Sequence, residues 1–242
     1  MPGKSAALVV GAGQVTGAAL LRRFAANDFT AVGVRRDGDA LKTLVSALRA
    51  EGGDVRGLCA DATDEDAVAK AVDRIESEIG PIALAVYNVG AFYRGEVLAL
   101  EPSDYRAAWE QSAWGAYLVG RSVARGMVAR RAGTLVFIGS TASLRGSANF
   151  AAMAGGRHAL RALAQSMARE LGPRGIHVTH IVIDGGIDSP EARAALAARG
   201  ANASSDALIL PADIAATCLM LHGQPRTAWT QEITLRPWME RW

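Results

Sequence analysis

Three short apolar runs end in residues that can do chemistry: "AALVVGAGQVTG", "TAVGVRRDGD" and "TLVFIGS". Glycines at 11, 13 and 17 let a chain turn sharply after a strand and approach a pyrophosphate, which the N–H groups opening the next helix then stabilise. The same triplet also suits a merely tight strand–helix turn. Its place at the mouth of an alternating chain favours the nucleotide. At the end of the second run, a guanidinium fits a ribose 2′-phosphate where an acidic residue would hold a 2′-hydroxyl. Arg35 and Arg36 therefore favour NADP(H) over NAD(H), although Asp37 and Asp39 are near enough to turn back.

The stretch "NFAAMAGGRHALRALAQSMAREL", 149–171, predicts one amphipathic helix, because Leu160, Leu163, Met167 and Leu171 recur at three- and four-residue steps. Its first turn carries Met153 and Arg157, an inert thioether and a permanent cation. A methionine at helical spacing is commonly packing, and an arginine there is commonly a solvated charge.

These residues need elements to position them, and the pattern supplies a regular alternation. Strands are predicted at 6–10, 30–34, 55–59, 84–88, 134–138, 177–183 and 232–235. Amphipathic helices are predicted near 17–26, 38–51, 64–79, 103–131, 151–171 and 211–222. Such alternation implies a mostly parallel sheet covered on both faces by helices. No linker or repeat divides the 242 residues, so one domain is expected. The irregular segment 184–211, rich in Gly, Ser and Asn, reads as a mobile covering loop.

Composition narrows the function. Half the residues are apolar and 21% are charged, which excludes a disordered chain. A net charge of +2, with basic runs only two residues long, argues against nucleic-acid binding. Cys59, in a predicted strand, and Cys218, in a predicted helix, form no metal-ligand cluster and no disulfide framework. The first apolar run is too short for a signal peptide and nothing reaches membrane-spanning length. A cytoplasmic protein with a small-molecule partner is expected, with no metal, membrane or nucleic acid.

In order and spacing these segments resemble the short-chain dehydrogenase/reductase superfamily over nearly the whole chain. "GAGQVTG" is similar to its glycine-rich loop, with Gln14, Val15 and Thr16 between the glycines. "CADATD" is similar to the stretch whose Asp, here Asp61 with Ala62 after it, meets the adenine. "YNVG" resembles NNAG, retaining Asn88 and Gly90 around Val89, with Tyr87 for the first Asn. "LVFIGSTAS" resembles the strand that delivers the catalytic serine, here Ser140. "IDGGIDS" resembles the PGxxxT turn at the nicotinamide, with Asp184 in the Pro position, Ile187 near the carboxamide and Ser189 in the Thr position.

The resemblance implies a Rossmann-like doubly wound three-layer α/β/α sandwich with a seven-stranded sheet. It also implies a YxxxK motif 13 residues after the serine. Counting from Ser140 places Met153 at the Tyr and Arg157 at the Lys, with Leu160 in the apolar slot that follows. The family's relay Asn maps to Ser112. Met153 has no exchangeable proton, and losing a positioned general acid costs about 10²–10⁴ in rate. Arg157 can still grip the nicotinamide ribose, but it cannot hand protons along a relay.

Tyr87 and Tyr93 stand where a substitute acid could, with Arg94 able to bind an anion, although side chains in such places are commonly structural; Thr141 offers a further hydroxyl beside Ser140. His158 is expected to turn away from the site, into a subunit interface. Two functions follow: an NADP(H)-dependent oxidoreductase acting on a small hydrophobic carbonyl-, enone- or imine-like substrate with a non-standard site, or a catalytically silent NADP(H)-binding sensor or subunit. The resemblance also implies a homodimer or homotetramer built on the two long helices.

Overall fold

The seven predicted strands form one parallel sheet in the order β3-β2-β1-β4-β5-β6-β7 in a computed structural model that describes residues 4–90, 92–198 and 206–240. The strands are β1 (Ala6–Val10), β2 (Thr30–Arg35), β3 (Val55–Cys59), β4 (Ile82–Tyr87), β5 (Thr134–Ser140), β6 (His177–Ile183) and β7 (Glu232–Leu235). The helices are α1 (Thr16–Ala25), α2 (Gly38–Ala50), α3 (Glu65–Glu78), α4 (Pro102–Trp109), α5 (Gly115–Arg130), α6 (Ala151–Leu171), α7 (Pro190–Ala198) and α8 (Pro211–His222).

Strand β1 shows why the sheet is sandwiched. All five of its side chains are buried, and successive side chains of a strand point to opposite faces. Ala6, Leu8 and Val10 join the core beneath α3, α5 and α6. Ala7 and Val9 join the one beneath α1, α2 and α8. Each fully buried Leu, Ile or Phe contributes about 1.5–3 kcal/mol; Phe24, wholly inaccessible on α1, is worth about 3–5 kcal/mol against alanine.

Helix starts follow local chemistry. Asp37 Oδ1 accepts from Ala40 N at 2.9 Å and Asp64 Oδ1 from Ala67 N at 3.0 Å, so both carboxylates satisfy orphan amides opening α2 and α3. Helix α1 has no side-chain cap and no acidic residue in its first turn. Its amides face the ends of β1 and β4, where the strand order reverses and open α/β sheets bind ligands.

Two predicted elements differ. The run 103–131 is interrupted by a π turn at Glu110–Trp114, which separates α4 from α5. Within the segment 184–211, Ile187 bridges Ile209, and α7 rises between them; positions 199–205 of the expected loop lie outside the described residues. Cys59, at the end of β3, is exposed where its apolar context suggested burial, and its thiol donates to the Arg36 carbonyl at 3.1 Å. Cys218 is buried, which pushes its thiol up to about 12. Among the described residues no helix is long and apolar enough to cross a membrane, and no cluster of His, Cys, Asp and Glu is arranged to hold a metal.

Candidate active site

A cleft of about 990 Å³ opens along the carboxyl ends of the strands. Gly11 sits at its nucleotide end with φ +88°, and a Cβ there would lie 2.7 Å from the Asn88 carbonyl oxygen. Gly17 is equally constrained: its Cβ would lie 2.7 Å from Ala12 Cα. Gly13 meets nothing within 4 Å, which leaves its backbone open to the cleft. Asn88 Nδ2 donates to the Gly11 carbonyl at 2.9 Å, so this side chain holds the turn in shape. Gln14, Val15, Thr16, Ala62, Val89 and Gly90 line the same cleft.

The arginines at the end of β2 also line it. Arg35 Nη1 is buried with no partner among the described residues, while Nη2 stands 3.6 Å from Asp37. Arg36 lies 3.7 Å from Asp61 Oδ2. Asp37, tied to the α2 amide and to Arg35, is committed within the protein. Burial raises the Asp61 carboxyl, but hydrogen bonds from the Thr63 amide and hydroxyl, with Arg36, more than reverse this and hold it below the ordinary range.

At the other end Ser140, Met153 and Arg157 come together as cleft-lining residues. Ser140 Oγ is buried and its proton has no acceptor among the described residues, while its oxygen faces the Ser143 amide in a reciprocal capping box whose other half is the Ser140 amide donating to Ser143 Oγ at 3.2 Å. Arg157 Nη1 donates to the Ile138 carbonyl at 2.8 Å. Burial pulls the Arg157 pKa down, and the Tyr87 phenol opposes that shift. A side chain on Gly90 would overlap Arg157 Nη2, so any larger residue there would have to displace the guanidinium.

Other residues singled out in the sequence take the following places. Ser189 is not among the lining residues; its hydroxyl accepts from Ala192 N at 3.1 Å and caps α7. Ser112 is buried, and a Cβ on Gly156 of α6 would lie 2.9 Å from its own Cβ; its neighbour Gln111 reaches the cleft instead. Tyr87 is buried beneath the site and its hydroxyl donates to the Gln111 carbonyl. Burial drives its phenol pKa well above the usual value, with Arg157 opposing and Asp61 adding to the rise, so it is a poor acid. Tyr93 and Arg94 lie outside the lining, Arg94 standing 5.9 Å over the Phe150 ring. His158 is exposed on α6, its Nδ1 2.9 Å from the Ala154 carbonyl.

Residues not singled out from the sequence complete the site. Thr63 fixes Asp61 through its amide at 2.9 Å and its hydroxyl at 2.8 Å. Phe92, Arg145, Ser147 and Phe150 line the end around Met153. Thr141, beside Ser140, donates to Asp184 Oδ1 at 2.6 Å, and Arg236 stands 3.4 Å from Asp184 Oδ2. Asp184 is thus a buried carboxylate held between a cleft hydroxyl and a tail arginine. Only its place in a motif was visible in sequence.

Comparison with known proteins follows this geometry. A family model described as short chain dehydrogenase matches residues 5–214. The chain is 32% identical over 137 residues to 2,3-dihydro-2,3-dihydroxybenzoate dehydrogenase of Bacillus subtilis, covering 57% of this chain and 52% of that protein. It therefore spans about half the length of that relative. It is 32% identical over 199 residues to 1-deoxy-11-beta-hydroxypentalenate dehydrogenase of Streptomyces exfoliatus, covering 81% and 72%. A crystal structure of a short-chain dehydrogenase from Rhodopseudomonas palustris superposes with a TM-score of 0.82 at 37% identity, over 98% of this chain and all of that one.

Proposed function

The chain belongs to the short chain dehydrogenase family, and we propose that it is an NADP(H)-dependent oxidoreductase acting on a small apolar carbonyl-, enone- or imine-like substrate. The observation that carries the cofactor reading is the buried, unpartnered Nη1 of Arg35 at the nucleotide end of the cleft. A buried donor without an acceptor costs about 1–3 kcal/mol, and a 2′-phosphate supplies the acceptor. The residues also fit the rest of a dinucleotide: an open Gly13, uncapped α1 amides for the pyrophosphate, and an ionised Asp61 for the adenine amino group.

When bound, the nicotinamide supplies or accepts a hydride. The protein's own groups do the rest. Ser140 Oγ, whose oxygen faces the Ser143 amide and whose proton has no internal acceptor, donates to the substrate oxygen. Met153 forms an apolar wall and holds no exchangeable proton. Thr141 gives its hydroxyl proton to Asp184, so towards the cleft its oxygen accepts rather than donates. Proton exchange at the substrate therefore runs through water. That suits a substrate such as an iminium ion, which needs no acid to take a hydride.

Nicotinamide fluorescence titration with NADPH and NADH, followed by carbonyl, enone and imine panels, tests this. Turnover supports the enzyme. NADPH binding with no turnover on any panel leaves the silent binding protein, a reading that the loss of an acid at position 153 favours. Failure of NADPH to bind overturns both. We also propose self-association through the face that exposes Tyr105, Trp109 and Tyr117 on α4 and α5; a monomer by light scattering overturns it.

A further inference from the structure

We propose that the substrate end of the cleft recognises an anionic substrate, a carboxylate on an apolar body, through Arg145. This rests on the oxidoreductase reading and names the substrate class for the same site.

Charge is distributed unevenly along the cleft. The lining carboxylates, Asp37 and Asp61, both lie at the nucleotide end, each beside an arginine. Beyond Gly90, the charged lining residues among those described are Arg145 and Arg157, both cations. Asp184, which sits between the lining residues Ile183 and Gly185, is itself outside the lining, turned towards Thr141 and balanced by Arg236. A cleft lined by one sign of charge concentrates ligands of the other.

The two cations are not equivalent. Arg157 is pinned to the Ile138 carbonyl in the cleft floor. Arg145 is exposed, follows the turn at Thr141–Ser143, and its side chain enters no ion pair or hydrogen bond among the described residues. A guanidinium matches a carboxylate with two parallel N–H donors.

The cleft that Arg145 lines also carries an apolar surface. Phe92 and Phe150 meet edge to face with centroids 5.9 Å apart, and Met153 and Ile187 line the same cleft. Phe92 leaves 75% of its surface exposed, so the wall has apolar area still to cover. Arg94, above the Phe150 ring, adds a second cation at the rim. An ion pair formed against such a wall is screened less than one in open water. The substrate's apolar body lies on Phe92, Phe150 and Met153, and its carboxylate reaches Arg145.

The test is calorimetric titration of the NADP⁺-saturated full chain with 3-phenylpropanoate, its uncharged isostere 3-phenylpropanamide, and 3-phenylpropyl phosphate. The carboxylate is expected to bind about tenfold or more tightly than the amide, a factor in line with one charged hydrogen-bonded pair. That advantage is expected to shrink with added salt and to vanish in Arg145→Gln, with Arg145→Lys keeping part of it. NADPH affinity of the Gln variant, read by fluorescence, stays at the wild-type value and reports that the variant is folded. Equal binding of acid and amide, binding of neither, a preference that survives Arg145→Gln, or a phosphate that binds better than the carboxylate overturns the proposal. NADPH that fails to bind the wild type overturns the oxidoreductase reading as well. NADPH that binds without any carboxylate preference overturns this inference alone.

Discussion

Arg157 Nη1 donates a 2.8 Å hydrogen bond to the carbonyl of Ile138, two residues ahead of Ser140 on β5. The guanidinium thus ties α6 to the strand that carries the serine. Its charge has no carboxylate partner among the described residues; the opposing influences on it are burial and the Tyr87 phenol. A desolvated cation is costly unless paired, while the hydrogen bond returns about 1–3 kcal/mol. In Arg157→Met the two effects offset, so unfolding in urea is expected to stay within about 1 kcal/mol of wild type. NADPH binding should weaken about tenfold or more if, as proposed, the cofactor ribose lies against this cation in the cleft. Marked destabilisation with unchanged NADPH affinity would make Arg157 a structural pin alone.

Arg35 and Arg36 give the second expectation. Asp37 already accepts from the α2 amide and stands 3.6 Å from Arg35, which leaves the two arginines to meet a 2′-phosphate. Replacing both arginines with alanine should weaken NADPH by roughly tenfold to a hundredfold, the scale of one or two charged hydrogen bonds, and leave NADH within about threefold. Parallel titrations check this; equal loss for both dinucleotides would count against the 2′-phosphate reading.

Much of this arrangement was legible in the sequence because it is set by short-range rules. The alternation of Ala6, Leu8 and Val10 against Ala7 and Val9 encodes a two-faced strand, and the interior of β1 follows it. The constraint on Gly11 is local: its turn needs φ +88° and admits no side chain beside Asn88. Counting from Ser140 placed Met153 and Arg157 in one cleft because α6 is a regular helix. The sequence reads 103–131 as one helix, and the π turn at Glu110–Trp114, which widens one turn by a residue, interrupts it. Gln111 lines the cleft, and Ser112 is buried against Gly156 of α6. Asp184, Thr141 and Arg236 meet only through folding, from β6, the end of β5 and the tail, and no local pattern marks such a pairing.

The buried histidines set a pH dependence. Burial lowers the pKa of His177, His180 and His222 from the ordinary 6.5. The folded state thus prefers each ring neutral. Their contribution to stability is complete above about 6.5 and is lost as pH falls below it, since the unfolded chain takes up protons first. Glu232, held low chiefly by the hydrogen bond from Arg161 and further by His180, adds a later loss below its ordinary 4.5. The thermal midpoint should begin to drop just below about pH 6.5, before carboxylates titrate. A midpoint that is level from about pH 7.5 to 5.5 would contradict this.

Met153 bears on the proposed chemistry, because a thioether lining the cleft holds no exchangeable proton. The side chain lines the cleft and is only half-buried, so a larger residue can extend into open space without overpacking the core. Met153→Tyr puts a phenol beside the free hydroxyl of Ser140 and on the same helix face as Arg157, one turn away. The nearby cation favours the phenolate and lowers the phenol pKa towards neutrality. A positioned general acid contributes about 10²–10⁴ in rate, so carbonyl reduction should rise by at least about a hundredfold over wild type. Iminium reduction, which takes up no proton at oxygen, should change little. The comparison is made on both substrate types under saturating NADPH. A phenol that speeds neither reaction would mean that position 153 does not face the reacting atoms, and one that speeds both alike would mean that it acts by binding rather than by proton transfer.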